Sequence, residues 1–413
     1  MNKNIENYLS EEKGFDLLLA EEEASRCMLC YDAPCSKLCP ANTNPAKFIR
    51  SVRFKNLYGA VETIRINNPL GGICARVCPT EKLCQSGCIR AGLDKPIDIG
   101  KIQRFITDFE RETNYEVYEK KELTKGPIAI IGSGPSGIAA ANSLVRDGYK
   151  VTIFEKNEKA GGYLTYGIPS YRLPQSLVDY EISLTLNLGV EIKYNSELGR
   201  DFTLDSLKKD GFKAIVLATG YEECNFLSMF KNNEYVETAI DFLANVKSHE
   251  GNVDLPEELL VVGGGDVAMD VAVSARKLGV KRISVVARET LDVFPSTRKS
   301  LDESISNFVT VIPGYTPVEV KDNMVSFKAV DREGVLSLKA PKIILATGQV
   351  SRLYDERLAK ERNDYKVEKY LSSVKDVFCT GDIVSGDKTV VGAIKKGKEC
   401  AKAIEEYLEK GEN

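Results

Sequence analysis

"PIAIIGSGPSGIAAANSLVRDGYKVTIFEK", residues 127–156, decides the architecture of this 413-residue chain. An apolar run enters a glycine turn, a stretch of small residues follows, and a second apolar run stops at an acid. That order predicts strand, turn, helix and strand. Gly132 permits the tight turn, Gly134 lets backbone approach a pyrophosphate, and Gly137 lets the helix lie close on the strand. Pro135 and Ser136 open the helix, whose unpaired N–H groups and positive dipole end suit phosphate. Glu155 stands where a carboxylate accepts both hydroxyls of an adenosine ribose, and Lys156 follows it.

The pattern returns in "ELLVVGGGDVAMDVAVSARKLGVKRISVVAR", residues 258–288. Gly263, Gly265 and Ala268 take the three turn positions, with Gly264, Asp266 and Val267 beside them. Two further runs echo each other, "AIVLATG" (214–220) and "KIILATG" (342–348). Strands alternating with helices predict parallel sheets, so the fold class is α/β with two nested Rossmann-like domains and two nucleotide sites. The second copy ends on Arg288 and Glu289. An arginine there pairs with a 2′-phosphate, whereas a glutamate repels it and bonds a free ribose. The mixed pair leaves NAD and NADP both open and leans to NAD. Near the end, "TGDIVSGDKTVV" fits the other end of a flavin: Gly381 allows close approach, Asp382 bonds a ribityl chain, and a helix from Thr389, Val390 and Val391 aims N–H groups at the ring.

Eight of the eleven cysteines lie between residues 27 and 88, in "RCMLCYDAPCSKLCP" (26–40) and "CARVCPTEKLCQSGC" (74–88). The remaining three, Cys224, Cys379 and Cys400, read as buried or inert thiols. A single histidine, His249, nearly excludes serine–histidine triads and histidine-rich metal sites. The formal net charge of −4, without a basic stripe, argues against a nucleic-acid partner. The start lacks the apolar core of a signal peptide, and no stretch reads as a membrane span, which predicts a cytoplasmic protein. Disulfides are rare there. Only Cys27 and Cys30 have zinc-knuckle spacing, and prolines follow Cys39 and Cys78. Closely spaced thiolates with such steps suit two 4Fe-4S clusters better than zinc. In "SEEKGFDLLLAEEEASRC", Ser10 before acids reads as a helix N-terminus. The expected division is a helical cluster-bearing domain over 1–123, a flavin domain over 124–223 and 351–413, and a nicotinamide nucleotide domain over 224–350.

An early fingerprint, a late "TGD" and a second fingerprint between them resemble the two-dinucleotide-binding flavoproteins. That likeness implies FAD on the first site and NAD(H), or NADP(H), on the second. The paired redox cysteines of the disulfide reductases in that family are missing, so electrons leave the flavin by another route. With the cysteines included, the chain resembles the small subunit of bacterial glutamate synthase and, more closely, the N-terminal half of dihydropyrimidine dehydrogenase. "CPTEKLCQSGC", "PIDIGKIQRF" and "GIPSYRLP" carry the second likeness. It implies one cluster on Cys27, Cys30, Cys35 and Cys88 and another on Cys39, Cys78, Cys84 and Gln103, with Cys74 a bystander. Spacing alone prefers Cys74. The same likeness places Glu155 to Tyr163, including Gly161 and Gly162, with Arg172 and Leu198 on FAD, and Ala346, Thr347 and Gly348 near the nicotinamide nucleotide. No acid–base catalytic residue is expected, because the flavin is the reactive centre. The pyrimidine-reducing half of that family, which carries FMN and further clusters, is not found before Asn413. The likeness thus implies an electron-input subunit and a separate pyrimidine-reducing partner; a glutamate synthase large subunit or another acceptor is the alternative.

Overall fold

A computed structural model describes residues 3–411. They fall into two compact units, one made of residues up to 12, 165–174 and 222–350, the other of 13–164, 175–221 and 351 onward. The second of these contains a five-stranded sheet in the order Val377–Cys379, Ala214–Leu217, Lys125–Ile131, Tyr149–Phe154, Glu191–Lys193, every pair parallel. Ala214–Leu217 and Val377–Cys379 are buried at every position, as strands covered on both faces are. The fingerprint helix Pro135–Arg146 packs against the long C-terminal helix Val390–Gly411. Gly397 makes that approach possible, since a Cβ there would sit 2.3 Å from the Ser136 carbonyl oxygen.

Ahead of this sheet, helices Leu17–Ser25, Pro45–Arg53, Leu57–Asn67 and Ile99–Thr113 share a core that includes Phe48, Ile49, Val52, Ile64, Ile102 and Ile106. Ser10 does not start a helix. Helix Lys3–Leu9 ends before it, and Leu17–Ser25 starts from Asp16, whose carboxylate accepts from Leu19 N at 2.9 Å. Asp16 outcompetes Ser10 because its carboxylate caps the turn next to the apolar run.

The helical layer is tied to the sheet by charge. Arg65 is fully buried, and its Nε lies 2.8 Å from both carboxylate oxygens of Glu110, while Nη2 bonds Glu181 on helix Gln175–Leu186. Nη1 donates to Pro69 O at 2.9 Å. Burial works against the Arg65 charge, but Glu181 and Glu110 hold it firmly protonated. Glu181 also accepts from Gly72 N at 2.9 Å and Ile73 N at 3.0 Å. It therefore satisfies the first free N–H groups of helix Gly71–Val77, which carries Cys74.

The other unit repeats the sheet: Val236–Thr238, Ile343–Leu345, Glu258–Val262, Arg282–Ala287 and Thr310–Pro313, again all parallel. The echoing runs 214–220 and 342–348 occupy equivalent places, each beside its fingerprint strand. An antiparallel meander, Tyr315–Lys321, Met324–Ala329 and Val335–Lys339, is added to this unit. Tyr8 of the first helix is fully buried in its core beside Phe242, Val246 and Met269.

Arg65→Met strands two buried carboxylates without their cation, which costs about 3–5 kcal/mol. Glu110→Gln leaves Glu181 opposite Arg65 and should cost less. Urea denaturation checks both, and an Arg65→Met midpoint equal to the parent's would refute the structural weight assigned to the triad.

Candidate cofactor sites

At the first glycine turn, Gly132 adopts φ +102°, and a Cβ on it would lie 2.6 Å from the Ala218 carbonyl oxygen. A Cβ on Gly137 would lie 2.0 Å from Gly132 O, so only glycine lets this helix start so near the strand. Above Gly134 the space is open, and no side chain caps the helix that begins at Pro135. Glu155 is buried at the strand end; its Oε2 accepts from Ser133 N at 3.0 Å and its Oε1 from Asn157 N at 2.9 Å. Gly161 N donates to Ser133 Oγ at 3.1 Å, and Gly162, with φ +54°, passes over Gly134. Tyr163 OH donates to the Tyr221 carbonyl. Leu198 is buried in the apolar core beside Phe154.

The late turn folds onto the same place. A Cβ on Gly381 would strike Ser136 Oγ at 2.4 Å. Asp382 Oδ1 and Thr380 Oγ1 are buried with no hydrogen-bond partner, which is costly unless something else bonds them. Burial pushes the Asp382 carboxyl up, against Lys396 and Lys388. An uncapped helix end, open space and orphaned acceptors in one unit fit a dinucleotide with hydroxyls to donate. Sequence reading missed Lys396, whose buried ammonium donates to the carbonyls of Gly381, Val384 and Asp387 at 3.1, 3.2 and 2.8 Å and so holds the 381–387 loop. The signal was a lysine on the same helical stripe as Ala393, Cys400 and Ile404.

In the other unit, Gly263 (φ +131°) would place a Cβ 2.2 Å from Ala346 O, and Gly265 opens onto free space at an uncapped helix end. A cavity of about 170 Å³ lies there, lined by Gly265, Asp266, Val267, Ala346 and Gly348. Asp266 Oδ1 accepts from Thr297 N and Oγ1, both at 2.9 Å. Cys224 is half-buried rather than in the core and lines this cavity, because its two-residue strand pairs with Gln349–Val350 at the rim, and burial pushes its thiol up. Arg288 is well exposed and pairs with Glu289 at 3.0 Å, so much of its charge is already answered. Arg172 belongs to this unit, where it bonds Asp270 at 3.0 Å and Ser300 Oγ at 3.0 Å. Burial pushes Asp270 up to about 6, with Arg172 opposing.

The eight early cysteines divide between two cavities. Cys27, Cys30, Cys35 and Cys88 line one. Cys39, Cys74, Cys78, Cys84 and Gln103 line the other, together with Val391 from the first turn of the C-terminal helix. Burial pushes the Cys35 thiol up to about 11 and Cys84 up to about 12. Buried thiols of this kind are poor thiolates until a bound metal compensates the charge. Backbone N–H groups already aim at sulfur, Ile97 at Cys88 and Thr43 at Cys39, both at 3.4 Å. Gln103 Nε2 donates to Gly71 O at 2.7 Å, leaving its amide oxygen free as a donor atom. Cys74 is buried in the same cavity and hydrogen-bonds Cys78, which is the main reason the Cys78 thiol is raised. Cys379 and Cys400 are fully buried in the core, as expected. No described helix is long and apolar enough to cross a membrane.

Two thiol-lined cavities with two glycine-turn helices define an oxidoreductase that combines iron–sulfur, flavin and nicotinamide cofactors. Residues 4–115 match the family model described as dihydropyrimidine dehydrogenase domain II, 4Fe-4S cluster, and residues 126–397 match the pyridine nucleotide-disulphide oxidoreductases. The NAD-dependent dihydropyrimidine dehydrogenase subunit PreT of Escherichia coli (strain K12) is 50% identical over 406 residues, 98% of each chain. Its Salmonella typhimurium counterpart is 48% identical over the same share. The chain belongs to this family of NAD-dependent dihydropyrimidine dehydrogenase subunits. Among solved structures, Lactococcus lactis thioredoxin reductase shares the fold at TM-score 0.56 and 21% identity, covering 69% of this chain and 100% of that one. Mycobacterium tuberculosis FprA in complex with NADPH does so at TM-score 0.59 and 16% identity, covering 70% and 85%.

Both Gln103 and Cys74 reach the second cavity, so substitution separates them. Cys74→Ser should leave iron content and cluster spectra nearly unchanged. Gln103→Ala should loosen one cluster and shift its potential, since ligand type and solvent access set it. Iron analysis and low-temperature spin resonance check this; loss of half the iron in Cys74→Ser, with none lost in Gln103→Ala, would reverse the assignment.

Proposed function

We propose that this chain is the electron-input subunit of a pyrimidine reductase, with one FAD, two 4Fe-4S clusters and NADH as donor. The observation that supports two clusters is the division of eight cysteines into two separate cavities. Cys27, Cys30, Cys35 and Cys88 would hold one cluster, and Cys39, Cys78, Cys84 and Gln103 the other. When bound, the flavin accepts a hydride and the clusters relay single electrons to an FMN/iron–sulfur partner that reduces uracil or thymine. The residues here bind and orient. The helix ends at Pro135 and Asp266 offer N–H groups to the two pyrophosphates, Glu155 takes a ribose, and Asp382 with Thr380 takes hydroxyls of the flavin side chain. Lys396 and Lys388 hold the loop that presents Asp382. The proposed domain limits are 1–123 for the clusters, 124–223 with 351–413 for flavin, and 224–350 for the nicotinamide nucleotide.

Anaerobically purified protein should contain one FAD and about eight irons per chain, as two cubanes require. NADH should bleach the flavin alone, whereas uracil-dependent NADH oxidation should need the partner subunit. Stoichiometric zinc without sulfide, or uracil reduction by this chain alone, would overturn the reading.

Nucleotide choice gives a second test. Glu289 repels a 2′-phosphate while its pairing weakens Arg288 as a phosphate partner, so kcat/KM for flavin bleaching should favour NADH over NADPH. Glu289→Ala should narrow that ratio by about tenfold, the scale of a single charge contact near 1.4 kcal/mol. A parent protein that prefers NADPH would show that Arg288 dominates.

A further inference from the structure

The C-terminal helix carries a second lysine that the cofactor sites do not use. Lys398 lies seven residues after Val391, two turns along the same helix face. Val391 lines the cavity of Cys39, Cys78, Cys84 and Gln103. The Lys398 ammonium is half-buried and donates to Ala41 O at 2.9 Å and Asn67 O at 2.5 Å. Both carbonyls belong to segments that surround Cys39. Ala41 follows it by two residues. Asn68, next to Asn67, donates through Nδ2 to Thr43 Oγ1 at 3.3 Å, and Thr43 N donates to Cys39 Sγ at 3.4 Å. Among the described residues no carboxylate lies within ion-pair distance of Lys398, so its charge is not cancelled. Burial, the largest influence, disfavours the Lys398 charge and Arg146 adds to that, while Cys39 and the neighbouring Glu399 favour it.

We infer that Lys398 is a positioning residue for the cluster on Cys39, Cys78, Cys84 and Gln103: it clamps the Cys39 loop to the helix, and its uncancelled charge raises that cluster's reduction potential. This inference rests on the two-cluster reading above. A one-electron reduction adds a negative charge to a thiolate-bound cluster, and a nearby cation in a partly dry site stabilises the added charge. The other cluster, on Cys27, Cys30, Cys35 and Cys88, has Arg53 near it instead, through Cys27 O at 2.9 Å. Lys398 should not affect it.

The test is potentiometric titration, read by low-temperature spin resonance, on full-length protein with its cofactors. The parent must first show two clusters. If it does not, the two-cluster reading falls, and the role of Lys398 falls with it. Given two clusters, Lys398→Met should retain the iron and make one cluster about tenfold harder to reduce, a shift of about 59 mV for one electron. The second cluster and the FAD content should not change. Lys398→Arg, which keeps the charge, should restore the parent potential. Unchanged potentials in Lys398→Met overturn the inference. If Lys398→Met instead loses iron, Lys398→Arg decides: retained iron at the parent potential supports it, and retained iron at a potential shifted down overturns it.

Discussion

Arg65 binds together the helical and sheet layers of the unit that holds the first glycine turn. A guanidinium without any exposure is tolerable only when its donors are met, and here three elements meet them: Glu110 of the helical layer, Glu181 of the sheet layer and the carbonyl of Pro69. The same Glu181 carboxylate holds the first N–H groups of helix Gly71–Val77. Without it, the start of that helix would be buried and unpaired. The cysteine-bearing segment that follows, through Cys78, is thus placed by an acid from a helix more than a hundred residues away. The position of the second thiol cavity follows from that one contact set.

Placement by a distant charge explains why the cofactor turns and the thiol cavities differ in how they could be read. The glycine turns are local. Gly132, Gly137 and Gly263 each face a carbonyl too close for any Cβ, so their identity and spacing carry the geometry. The parallel sheets followed from the same runs, and the echo of 214–220 in 342–348 marked the equivalent strands. The thiol cavities depend on long-range packing. Spacing could show that eight cysteines gather, but not that Gln103 would line the same cavity as Cys74, because that depends on how helix Ile99–Thr113 packs on Gly71–Val77.

Other features left no clear local sign. Ser10 had the residue type of a helix cap but not the position, which Asp16 holds. The meander of 315–339 has a strongly alternating last strand, Val335–Lys339, yet it is short and lies between charged turns. Arg172 sits in a segment of ten residues that joins the unit of the second glycine turn, far in sequence from its partner Asp270, and only packing brings them together. Lys396 and Lys398 lie in "KKGKE", which reads as a solvated helix face until the buried stripe through Gly397 is traced.

Those lysines share a chemical feature that separates them from most cations of the chain. Arg26 and Arg76 pair with carboxylates, so each pair is close to neutral at a distance. Lys396, Lys398 and Arg53 bond backbone carbonyls. A carbonyl satisfies the donor without cancelling the charge, so the field of the cation survives. Lys396 lies at the 381–387 loop, and Lys398 and Arg53 lie beside the cysteine loops. A protein with a net charge of −4 thus keeps, in Lys398 and Arg53, positive charge without an ion-pair partner among the described residues beside its cysteine loops. Carbonyl partners in place of acids are the local choice that makes this possible.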